Sequence, residues 1–172
     1  QNLSIFFIDK YKTKLNWRFL SEFQYLPIDY IDIMKDKIHF ESLGKNIAII
    51  KLIDDKFIEK FKDQNIWDCL IWSENVSNEM LLSNLCKLNE SQIQDLLEVK
   101  KLDKDILVNI WEKYSYVEDI YDYLIEGQDL SEDFIKDNLD KFSKKLLVMN
   151  QNLSYEFLYK IRKDFSLEDL SL

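Results

Sequence analysis

One motif recurs seven times along the 172 residues, and this self-similarity restricts the fold more than any other feature of the chain. Each copy is anchored on an aliphatic residue: Leu3, Leu26, Ile53, Val76, Leu102, Leu130 and Leu153, at spacings of 23, 27, 23, 26, 28 and 23. The residue after the anchor is Ser4, Pro27, Asp54, Ser77, Asp103, Ser131 or Ser154. Six of these can cap a helix, and proline suits a helix start. Large apolar residues follow at +4 (Phe7, Tyr30, Phe57, Met80, Ile106, Phe134, Phe157) and at +5 (Ile8, Ile31, Ile58, Leu81, Leu107, Ile135, Leu158). At +8, Tyr11, Met34, Phe61, Ile110 and Ile161 continue the stripe, with Asn84 and Asn138 as exceptions. A cap followed by apolar residues at these offsets is one face of a short amphipathic helix.

A second apolar set completes each copy. At +12 stand Leu15, Ile38, Leu88, Tyr114, Phe142 and Phe165, with Asn65 the misfit; at +17 stand Leu20, Leu43, Leu70, Ile93, Leu147 and Leu170, with Asp119 the misfit. The aromatics at +14 (Trp17, Phe40, Trp67 and Tyr116) read as core wedges. Each unit is thus a pair of helices of about nine residues, too short to be stable alone. Stacking buries what one pair cannot. The expectation is an all-α fold, a right-handed α-solenoid of about seven helix-pair repeats of 23–28 residues, forming a single domain over 1–172. Gly44 and Gly127 fall between repeats, where left-handed helix ends are expected. In the terminal repeat, Ile8 is expected to be less buried than Phe57. With Gly 2 and Pro 1, hairpin-rich β folds and glycine-rich phosphate loops are excluded.

The consensus Q-x-L-S-x-x-F-I-x-K-(F/Y), followed by an aromatic such as Trp17, resembles tandem short helical repeats encoded by large DNA viruses and some phages, with units of the LSEDFI…NW type. The matching stretches are Gln1 to Trp17, Ile53 to Trp67, Gln128 to Ile135 and Gln151 to Lys160. The resemblance implies a viral or phage origin and a binding role. It carries over no functional residue and no activity.

Nothing in the chain spells a known catalytic motif: G-x-x-x-x-G-K-[ST], H-E-x-x-H and G-x-S-x-G are all missing. The single histidine, His39, reads as a satisfied surface or interhelix residue, and no base–nucleophile pairing is legible. Cys69 and Cys86 lack Cys or His neighbours at ligand spacing and read as two reduced, buried thiols. The expectations are no enzyme activity, no metal and no cofactor. Ser166-Leu167-Glu168-Asp169 reads as a last capping turn. No run approaches the ~20 apolar residues of a membrane span. No signal peptide is read either, although a start at Gln1 would hide a processed one.

Charge supplies the functional clue. The net charge is -9, which disfavours direct nucleic-acid binding. Residues 101–140 hold four basic against twelve acidic side chains, whereas residues 1–45 hold seven against six and residues 141–172 six against four. Glu118, Asp119, Tyr121, Asp122, Tyr123, Glu126, Asp129, Glu132 and Asp133 form the candidate partner-binding band. Such a band steers and docks a basic partner, and tyrosine adds rigid contact area. The leading expectation is a non-catalytic repeat module that binds a protein, with a basic nucleic-acid-binding protein as one candidate partner, in the cytoplasm of a host cell. The alternatives are an inhibitor of a host defence nuclease acting through a nucleic-acid-mimicking surface, and a structural component of the virion.

Overall fold

The computed structural model describes residues 2–117 and 119–164. The fold is all-α, with no strand among the described residues and a single isolated parallel bridge between Asp54 and Asn75. The chain divides into two compact units, Gln1–Leu88 and Asn89–Leu172. The first holds α1 (Ile5–Tyr11), α2 (Trp17–Phe23), α3 (Ile28–Ile33), α4 (Phe40–Leu43), α5 (Ile47–Ile50), α6 (Asp55–Phe61), α7 (Trp67–Trp72) and α8 (Asn78–Asn84). The second holds α9 (Glu90–Val99), α10 (Lys104–Tyr114), α11 (Ile120–Gly127), α12 (Glu132–Asp137), α13 (Lys144–Asn150) and α14 (Tyr155–Ile161).

Every first helix of a pair starts where the motif places it. Ser4, Asp54, Ser77, Asp103, Ser131 and Ser154 each accept a hydrogen bond from the backbone N–H three residues on, and Pro27 begins α3 without a side-chain cap. This satisfies one of the orphan donors of each first turn. The +5 residues Ile8, Ile31, Ile58, Leu81, Leu107 and Ile135 are buried. The two asparagines that break the stripe at +8 act on their own helices instead: Asn84 donates to the Met80 carbonyl and Asn138 to the Phe134 carbonyl.

The second helices lie side by side within each unit. In the first unit α2 packs on α4 and α4 on α7; in the second α9 packs on α11 and α11 on α13. Side-chain amides seal these joints, each reaching two carbonyls at the end of the preceding second helix. Asn46 donates to Ser21 O and Gln24 O, Gln128 to Leu97 O and Lys100 O, and Gln151 to Ile125 O and Gln128 O. Glutamines also accept from the anchor N–H groups: Leu3 to Gln24 at 2.7 Å, Leu102 to Gln128 at 2.9 Å and Leu130 to Gln151 at 2.9 Å. Where the third repeat lacks the glutamine, Ser73 donates to Ile53 O and Asn75 to Lys51 O.

Several expectations need correction. Neither glycine is left-handed. A Cβ on Gly44 would lie 2.7 Å from the Asp68 Cβ, and one on Gly127 would collide with the Leu97 carbonyl, so both allow close approach of neighbouring second helices. Tyr116 is 72% exposed and wedges nothing, because α10 runs on to Tyr114 and shifts the register; Val117 and Ile120 take the buried places. The same shift explains the Asp119 misfit, since α11 starts only at Ile120. At the other misfit, Ile66 is buried beside exposed Asn65. Ile8 is fully buried, and the exposure of the first repeat falls on Phe6 and Phe7. The second repeat carries an extra helical turn, α5, so the two-helix unit does not hold there. Phe165, Leu170 and the 166–169 capping turn lie outside the described residues.

Candidate partner-binding surface

The acidic band falls on the turn before α11, on α11 itself and on the start of α12. Its floor is aromatic. Trp111 of α10 meets Tyr121 edge-on at 4.8 Å and Phe134 at 5.5 Å, and Tyr121 also meets Phe142 at 5.9 Å. These rings pack beside a core of Ile125, Ile135, Phe142, Leu147, Phe157 and Ile161. Asp119 adopts a left-handed backbone, with φ 62°, and its carbonyl accepts from Asp122 N–H and Tyr123 N–H. Aspartate tolerates that conformation better than most residues.

The band residues have distinct situations. Tyr121 is engaged in the aromatic floor, and its hydroxyl donates to Ser115 O at 3.4 Å. Glu132 accepts the Ser154 N–H at 2.7 Å, the bond that Asp55 makes to Ser77 N–H at 2.8 Å in the first unit; it ties successive first helices together. Asp129 pairs with Lys101 at 3.2 Å while 91% exposed, and so exposed a pair stabilises little. Asp119, Glu126 and Asp133 are exposed, and Asp122 and Tyr123 are half-buried. Glu118 lies outside the described residues. Lys160 answers two of these acids at longer range: its hydrogen bond and charge pairing with Glu156 hold it above the ordinary lysine range, and Glu132 and Asp133 add to that.

Elsewhere His39 and Cys69 have structural partners. His39 caps α4, its Nδ1 accepting from Ser42 N–H at 3.2 Å, with Nε2 3.8 Å from the Glu41 carboxylate. Cys69 is buried and donates to Phe40 O at 3.6 Å; burial pushes its thiol well above the ordinary range. Cys86 is exposed, which corrects the expectation of two buried thiols: it sits on a 3₁₀ turn, Leu85–Lys87, that turns Leu85 inward. Among the described residues no group of three or more His, Cys, Asp and Glu is placed to hold a metal ion, and no helix is long and apolar enough to cross a membrane.

Sequence reading missed the amide joints of Asn46, Gln128 and Gln151. The Q-x-L-S spelling at 128 and 151 carried the signal, but its meaning needs the carbonyls of the preceding repeat. No family model, curated protein or solved structure matches this chain.

Proposed function

We propose that the chain is a non-catalytic protein-binding module, a right-handed α-solenoid of seven short helical repeats, the second with an extra turn, whose acidic band on α11 and α12 docks a basic protein. The observation that carries this reading is the recurrence of the same devices in both units: a cap at +1, an amide closing the preceding second helix, and an acid linking successive first helices. Repeats joined this way expose their outer faces for recognition. The exposed acids Asp119, Glu126, Asp129 and Asp133 supply charge for steering. The proposed setting is a host cell infected by a virus or phage, in line with the repeat resemblance.

The test uses the chain as bait in lysate of its source cells, beside a bait carrying Asp122→Lys, Glu126→Lys and Asp129→Lys. The expected result is a basic protein retained by the native bait, released by salt and lost by the reversed bait. Equal capture by both baits, with no salt dependence, overturns the assignment of the band.

A further inference from the structure

An open cleft lies between the starts of α10 and α12, next to the band. It has a volume of about 100 Å³ and is walled by Leu102, Leu107, Val108, Leu130 and Phe134, with Lys104 and Asp129 at its rim. An acid bridge present at two other joints is missing beside it. Between the third and fourth repeats Asp55, at +2, bridges to the next cap residue, and between the sixth and seventh Glu132 does the same. In the fifth repeat the +2 residue is Lys104, whose side chain accepts no hydrogen bond, so this bridge to Ser131 is not made.

We infer that this cleft is the anchor pocket of the docking surface, and that it takes one aliphatic side chain from a basic segment of the partner. The inference rests on the reading of the acidic band as a docking surface. Size favours a small apolar side chain: an enclosed apolar cavity of roughly 150 Å³ holds benzene, and this cleft offers about 100 Å³, the scale of a branched aliphatic group. Charge selects what flanks it. The stretches framing the cleft, 101–108 and 129–134, carry five acids (Asp103, Asp105, Asp129, Glu132, Asp133) against Lys101 and Lys104. An apolar anchor in a pocket with charged groups at the rim is the usual division of labour at an interface: the anchor sets the off-rate, the rim the on-rate.

The test titrates the full chain, labelled with ¹⁵N, with two synthetic peptides: acetyl-Lys-Arg-Leu-Lys-Arg-amide and its Ala-centred counterpart. The Leu peptide is expected to bind about tenfold tighter, the scale set by burial of an aliphatic side chain. It is also expected to shift the amides of Val108, Ser131 and Phe134. Val108→Phe, which fills the cleft, is expected to bring the two peptides to equal affinity; the shift map on the unaltered chain needs no variant. Equal, salt-sensitive binding of both peptides overturns the pocket and leaves the acidic docking surface standing. Absence of binding by either peptide overturns both.

Discussion

The two units are built with the same joints and dressed with different surfaces. Residues 1–88 carry twelve basic and thirteen acidic side chains, and residues 89–172 carry eleven and nineteen. Among the described residues the exposed aromatics of the first unit are Phe6, Phe7, Phe19, Phe23, Tyr25 and Trp72, whereas those of the second are Tyr116, Tyr155 and Tyr159. Phe6 shows how freely an outer position varies, even within one unit. At +3 the other six repeats carry Asp29, Lys56, Glu79, Asp105, Asp133 and Glu156. Since the buried positions and amide joints recur while the exposed ones diverge, folding constrains the former and leaves the outer faces open to functional specialisation.

The largest expected effect breaks the equivalence of repeats at +4. Phe57 is 3% exposed and packs on Phe61 at 4.7 Å, whereas Phe7 is 41% exposed. Phe57→Ala is expected to cost about 3–5 kcal/mol and Phe7→Ala under about 1 kcal/mol, measured by urea unfolding. Equal losses would mean that Phe7 is covered in solution. Ile8→Ala belongs with Phe57, at about 2–5 kcal/mol, because Ile8 is fully buried.

Gly127→Ala and Gly44→Ala probe the same close approach in the two units. Each is expected to cost about 1–3 kcal/mol through overpacking, with Gly127 the more sensitive because its Cβ would strike a backbone carbonyl. A stabilising effect at either site would show that the neighbouring second helices leave room for a methyl group.

Gln128→Leu removes partners from Leu102 N–H, Leu97 O and Lys100 O. It is expected to cost about 1–3 kcal/mol, since buried and partly buried backbone groups each lose a partner. Gln24→Leu loses its bond to Leu3 N–H and is expected to cost about 0.5–1.5 kcal/mol. Amide exchange at Leu102 and Leu3 reads each joint directly. If Leu102 exchange stays unchanged in Gln128→Leu, the joint does not protect that amide.

Smallest in stability is the reversal of Asp122, Glu126 and Asp129 to Lys, expected within about 0.5 kcal/mol of the native chain for each surface site. Its effect belongs in the salt dependence of partner association. Thiol labelling gives a check confined to the first unit: exposed Cys86 is expected to react in the native state and buried Cys69 only on opening. Rapid labelling of both thiols would show that the first unit is not closed around Cys69.

Much of the fold was legible because helix starts are local. The hydroxyl of Ser131 meets the N–H of Phe134 three residues away, so the cap and the residue it satisfies stand in one stretch of sequence. The +5 stripe is local in the same sense, since a period near 3.6 puts Ile58 and Phe61 on one face. The concentration of acids in residues 101–140 is likewise visible by counting. Their separate duties were not. Glu132 is tied to a backbone N–H 22 residues away and Asp129 to a lysine 28 residues away.

The amino-acid sequence by itself therefore determined an all-α chain, the places where its first helices begin and the side chains they bury. The tertiary structure alone decided what happens between repeats. It turned Gly44 and Gly127 into contact points, Gln128 and Gln151 into bridges, Tyr121 into a core ring and Tyr116 into an exposed one. The physical reason is range. Capping and helical periodicity act over three to five residues, whereas the amide bridges of Gln128 and Gln151 close loops of 23 to 31 residues. Such partners exist only after neighbouring repeats have packed.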